Sequence, residues 1–86
     1  MPCVSDFYGI AIYMYYNDHA PPHFHAKYSG TEALYEIETL RIYRGRIPPR
    51  AHGLVLEWAD KHRTELMENW KRAQQHREIV PIQPLD

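Results

Sequence analysis

Cysteine is nearly missing from this sequence. Cys3 is the only one in 86 residues, so no disulfide can form within the chain, and the secreted, disulfide-stapled class of small domain is excluded. Also missing is any apolar run near the roughly 20 residues that span a bilayer. The opening Met1-Pro2-Cys3-Val4-Ser5-Asp6 has neither a positive region nor a long apolar one and does not read as a secretion signal. A cytosolic (cytoplasmic) protein with no membrane contact is expected, its first residues frayed. Charge of one sign is lacking too: 10 Lys and Arg against 11 Asp and Glu give a formal net charge of −1, so attraction to nucleic acid has to come from a local patch. No nucleophile elbow, phosphate-binding loop, dinucleotide fingerprint or paired-carboxylate glycosidase pattern occurs, which sets those enzyme classes aside.

Aromatic side chains, by contrast, are plentiful. Seven Tyr, two Trp and two Phe make 13% of the chain, within a hydrophobic fraction of 44%, and large rings let a short chain build a core without crosslinks. The length fits one domain, residues 1–86, with every element sharing one core. A chain of this size buries only about 60 to 65% of the surface its unfolded form exposes. Modest stability is expected, and with it a gain from self-association or a partner.

Tyr8 to Tyr16 is almost wholly apolar and reads as a first strand with Ile10, Ile12 and Met14 on one face. Asn17-Asp18-His19-Ala20-Pro21-Pro22 ends it in a proline-stiffened loop. His23 to Tyr28 then alternates, Phe24, Ala26 and Tyr28 against His23, His25 and Lys27. Ser29-Gly30 supplies a hairpin turn, and Glu32 to Thr39 alternates again, Ala33, Tyr35 and Ile37 against Glu32, Glu36 and Glu38. Leu40 to Arg44 is a candidate fourth strand, ended by Gly45. Pro48 and Pro49 suit a helix start, and Ala51, Leu54, Val55, Trp58, His62, Leu66, Trp70 and Ala73 recur at helical spacing. One helix over 48–77 would run roughly 42 Å, so a kink near His62 or a projecting end is expected. Residues 78–86 read as an extended tail. The predicted fold is therefore α+β: a three- or four-stranded antiparallel sheet over residues 8–44, then a long amphipathic helix on one of its faces.

Phe7-Tyr8-Gly9-Ile10, Tyr13 to His19, Pro21-Pro22-His23-Phe24-His25-Ala26 and Leu56-Glu57-Trp58-Ala59 together resemble a small bacterial family, domain of unknown function 4160. The resemblance spans nearly the whole chain and centres on the string from Asp18 to Ala26. It implies a compact bacterial protein, often encoded beside another small protein in pairs that look like toxin–antitoxin or regulatory systems, and it implies no mechanism.

The chemistry-bearing stretch is Asp18 to His25. His23 and His25 are two apart on a predicted strand and project from one face, and the prolines can fold His19 back to them. His19, His23 and His25 thus form a possible ligand set for zinc or another divalent transition metal, with Asp18 orienting a histidine or completing the shell. Without metal, the same histidines could act as general acid and base on a phosphodiester, in the manner of an RNase. Arg41, Arg44, Arg46 and Arg50 lie in a stretch without acidic residues and could hold phosphates, while Tyr13, Tyr15 and Tyr28 offer stacking surfaces. The plain alternatives are a histidine loop packed through ring N–H bonds, solvated arginines and core tyrosines. His52, His62 and His76 have spacings unsuited to a helical metal pair, and His62 reads as core-facing or capping. Trp58 and Trp70 read as packing residues, Glu32, Glu36 and Glu38 as a solvent side or a docking surface for a basic partner, and Cys3 as an ordinary thiol.

Two functions follow as expectations. The favoured one is an interaction or regulatory module, one member of a bacterial two-gene pair, binding a small partner protein from a neighbouring gene or a second copy of itself. The other is a histidine- or metal-dependent enzyme acting on nucleic acid through the Asp18–His25 loop.

Overall fold

A computed structural model describes residues 3–86. Among these residues the chain forms strands β1 (Cys3–Phe7), β2 (Ile10–Tyr13), β3 (His23–Tyr28), β4 (Thr31–Glu36) and β5 (Ile42–Arg46), followed by helices α1 (Pro49–Lys61) and α2 (Arg63–Gln74). The strands make one antiparallel meander in chain order. The α+β class and the strands-then-helix order agree with the sequence reading, but three details differ.

The first strand is shorter than expected and begins later. Tyr8 and Gly9, with φ of 51° and 79°, form a two-residue turn, so Cys3–Phe7, which the sequence reading left outside the sheet, pairs back onto Ile10–Tyr13 as a strand of its own and makes five strands where three or four were expected. A tyrosine in the left-handed region is an uncommon first turn residue, which is why Tyr8 reads as strand. The fourth strand of the sequence reading lies two residues later, at Ile42–Arg46, because Ile37 to Leu40 make a turn whose last residue has φ 59°. Gly45 lies inside that strand and does not end it. Its φ is 72°, and a Cβ there would collide with the Glu32 carbonyl of β4, so only glycine allows the approach.

The single long helix is two. The stretch breaks at His62 (φ −125°, ψ 24°), where the kink was expected, and its N–H bonds the Ala59 carbonyl. Both helices cover the face of the sheet that carries Ile10, Ile12, Phe24, Ala26, Ala33 and Tyr35, all buried. Trp58 of α1 anchors the contact, with ring centroids 5.3 Å from Phe7 and 5.9 Å from Phe24. Tyr35 stacks on Phe24 at 5.2 Å and its hydroxyl meets His52 Nδ1 at 2.7 Å. Burial pushes that phenol up to about 12.

The tail is extended and tied down. Asn69, buried in α2, donates from Nδ2 to the Val80 carbonyl (2.7 Å) and accepts the Val80 N–H (2.9 Å). Trp58 Nε1 donates to the Gln83 carbonyl at 2.8 Å, and Ile82 N–H to the Val4 carbonyl at 2.8 Å. Ile79 and Ile82 fill the space beneath. No helix among the described residues is long and apolar enough to cross a membrane.

Candidate metal centre

The helices occupy one face, so the alternation of β3 sends His25 and Lys27 to the other. The β2 ladder ends at the pair Tyr13↔His25. His23, one step further along the same face, has no β2 neighbour, and the loop from Met14 to Pro22 and the end of α2 fill the gap. Trp70 of α2 lies 5.2 Å from the His23 ring and Tyr43 of β5 meets it edge-on at 5.3 Å, leaving His23 only 2% exposed. Gln74 Nε2 donates to the Asp18 carbonyl at 3.2 Å, and Asp18 Oδ1 accepts the His19 N–H at 3.0 Å. These contacts bring the Asp18 carboxylate over the strand.

Three ligand atoms converge there. Asp18 Oδ2 lies 2.9 Å from His23 Nε2 and 3.0 Å from His25 Nε2, and one ligand atom from each of the three residues lies within 4.8 Å of the others. The opposite ring nitrogens are committed elsewhere. His23 Nδ1 is 2.7 Å from the Pro21 carbonyl, which can only accept, so Nδ1 carries the proton. His25 Nδ1 is 3.0 Å from Glu32 Oε2 and donates to that carboxylate. Each histidine is thus held by an outer acceptor and turns its Nε2 toward Asp18, His25 Nε2 within hydrogen-bond distance of Oδ2, the arrangement by which metal-binding imidazoles are oriented.

His23 Nε2 is the atom that decides the fit. Despite its closeness to Asp18 it makes no directed hydrogen bond and is buried without a partner, a condition that costs about 1–3 kcal/mol. A neutral His23 with its proton on Nδ1 leaves Nε2 unpaired, and either a second proton paired with Asp18 or a cation shared by the three groups would satisfy it. Two ligands about 2.1 Å from an ion stand about 3.0 Å apart at a right angle and about 3.4 Å apart at the tetrahedral angle. The observed 2.9 and 3.0 Å therefore need only a small opening. Burial pushes the Asp18 carboxyl up, but the His25 hydrogen bond, the charge of His23 and the His19 N–H outweigh it and leave the group below its ordinary value. That keeps the carboxylate ionised, as a ligand requires. With Asp18 21% and His25 14% exposed, the centre is open to solvent on one side.

The surroundings are aromatic and basic. Tyr15 meets the His25 ring edge-on at 4.6 Å. Lys27 Nζ lies 4.7 Å from the centroid of Tyr13 and 6.0 Å from that of Tyr15, and the hydrogen bond and charge of Tyr15 raise the ammonium's pKa. Burial, then the charge of Asp18, raises that of the Tyr43 phenol.

The residues singled out from sequence fall into three places. His23, His25, Asp18 and Tyr15 come together, with Asp18 in the position expected of His19. His19 is exposed and reaches the centre through its backbone N–H. Arg44 and Arg46 stand exposed on β5, opposite Leu34 and Glu32, and Arg41 lies in the turn before it. Arg50 is in the first turn of α1, beside a groove of about 230 Å³ lined by Tyr8, Tyr28, Ala51 and Leu54. Sequence reasoning missed Tyr43, Trp70 and the role of Glu32. Glu32 carried a usable signal, since the Ser29-Gly30 turn sets it near His25. Trp70, 47 residues beyond His23, carried none.

The fold and centre define a small α+β protein with a histidine–carboxylate cluster on the uncovered side of its sheet. The chain belongs to the family described as Domain of unknown function (DUF4160), whose model matches residues 9–71 of the 86. No curated protein and no solved structure matches it significantly.

Proposed function

We propose that this protein is a metalloenzyme that binds one divalent transition metal, zinc being the simplest candidate, through Asp18, His23 and His25, and uses it for hydrolysis. The buried, unpartnered His23 Nε2 aimed at Asp18 carries the reading. Two imidazoles and one carboxylate leave coordination positions for water, and zinc in such a set lowers the pKa of bound water to about 7. Hydroxide is then available beside a substrate that Tyr15 and Tyr43 would flank. The test is metal content by mass spectrometry on tag-free protein beside the His23→Ala/His25→Ala double variant. Near-stoichiometric zinc, nickel or iron that disappears in the folded variant is expected. A wild type without metal, even after incubation with zinc, would sink the proposal.

A second role is supported by β5, whose residues Tyr43 to Arg46 are exposed along an edge of the sheet with no strand beyond it among the described residues. Such an edge can accept a strand from another chain. We propose that a small partner protein from a neighbouring gene docks there, as in a bacterial two-gene regulatory pair in the cytoplasm. If the two are co-expressed and Tyr43→Pro leaves their co-purification intact, β5 is not the docking edge.

A further inference from the structure

Register brings more than the metal ligands onto the uncovered face. One row across the sheet reads Cys3, Tyr13, His25, Leu34, Arg44, and the next reads Asp6, Ala11, Lys27, Glu32, Arg46, with Asp6 at the far edge from the arginines. Neighbouring strands are about 4.8 Å apart, so Arg44 stands about 10 Å from the His25 position, and same-face residues along a strand are about 6.8 Å apart. Lys27, Arg44 and Arg46 therefore form a basic arc beside the centre. Glu32, the acidic group within that arc, faces Lys27 and Arg46 across the strands and is engaged with His25. Glu36 lies in the row of His23, away from the arc. Tyr43, 40% exposed, and Tyr15 rise on either side of the paired imidazoles.

We infer that this face binds single-stranded nucleic acid, with its phosphates on Lys27, Arg44 and Arg46, its bases against Tyr15 and Tyr43, and one phosphodiester at the Asp18–His23–His25 centre. The inference rests on the metalloenzyme reading for that last contact only. Cationic side chains that track a backbone, alternating with rings on which any base can stack, are the general means of holding a single strand without reading its sequence. Arginine suits phosphate because its planar fork makes paired hydrogen bonds. A sheet face flanked by Tyr15 and Tyr43 suits a flexible strand whose bases can splay onto the rings, which the stacked bases of a duplex cannot do. With a metal held by Asp18, His23 and His25, water deprotonated there would add to phosphorus, the bond to the ester oxygen would break, and that oxygen would take a proton from solvent.

The experiment is fluorescence anisotropy with a labelled 12-nucleotide single-stranded RNA, on wild type, Arg44→Glu/Arg46→Glu and Asp18→Ala, with metal content measured on the same samples. Binding by wild type is expected, weakened at least tenfold in the arginine double variant. With two phosphate contacts removed, the slope of log affinity against log salt should fall by about 1.4. Both arginines are exposed, so the double variant should keep its fold and its metal. Asp18→Ala should lose metal yet keep most of the binding. Equal affinity and slope in the double variant would overturn the inference, as would undetectable binding by a metal-loaded wild type. A duplex competing as well as the single strand would overturn it too. Binding without metal in wild type would leave this inference standing and remove the metalloenzyme reading instead.

Discussion

Phe24 and His25 are neighbours in sequence and lie on opposite faces of β3. Phe24 is fully buried, stacked on Tyr35 and met edge-on by Trp58. The polar atom beside it, the Tyr35 hydroxyl, has its own partner in His52. His25 is bonded to two carboxylates, and its companion His23 is buried with a ring nitrogen unsatisfied. On the covered face the polar groups are mostly bonded to their neighbours, with the buried Ser5 Oγ as the exception, and that is what stability favours. The uncovered face concentrates polar groups that need something further, an arrangement that costs stability and is usual where function resides.

Substitutions can break or sharpen this contrast. Trp58→Ala, on the covered face, should cost about 3–5 kcal/mol in urea unfolding, comparable with the whole stability of so small a domain. A loss below about 1 kcal/mol would mean that α1 is not the anchor. Gly45→Ala forces a side chain into the Glu32 carbonyl at positive φ and should cost more than about 1 kcal/mol, with faster amide exchange along β5. Tyr35→Phe removes one buried hydrogen bond, worth about 1 kcal/mol. It also carries a pH signature. The folded phenol titrates near 12 against 10 in the unfolded chain, so its contribution is constant below pH 10 and is lost as pH rises from 10 through 12. Unfolding at pH 9 and 11 should fall less steeply in Tyr35→Phe than in wild type. The smallest effect on folding should come from the other face. His23→Leu removes the unsatisfied nitrogen and should change apo stability, measured in chelator, by less than about 1 kcal/mol, while metal content drops to background. A variant that keeps its metal and loses 3 kcal/mol or more, about the scale of breaking a buried pair, would reverse the contrast.

Much of the covered face was legible in the sequence, because the alternation of His23 to Tyr28 and of Glu32 to Glu36, broken only at Leu34, and the helical stripe from Ala51 to Ala73 are patterns that a single strand or helix carries in itself. Length showed that one helix was too long for the domain, leaving a kink near His62 or a projecting end, and the break at His62 is the one that occurs. What escaped depends on backbone conformations or distances that residue types do not encode. Tyr8 turning at φ 51° hid a whole strand, and the Ile37–Leu40 turn shifted β5 by two residues. At the centre, the strand placed His23 and His25 correctly, but the choice between Asp18 and His19 depends on the path of the loop and on Gln74, which reaches it from the far end of α2. Tyr43 and Trp70 reach His23 from distant segments, so no local pattern could announce them.

Ile82 donates to the Val4 carbonyl, so the tail meets β1 at that residue. A sheet of five strands ordinarily has two margins at which foreign strands can add, and here the chain itself takes up a carbonyl of the first strand. Growth of sheet upon sheet, the route by which small β-rich proteins precipitate, is left its freer path at β5. Two molecules meeting there would set the charges of Arg44 and Arg46 against their own copies, so the margin that stays open tends to refuse its own kind and to favour an acidic visitor.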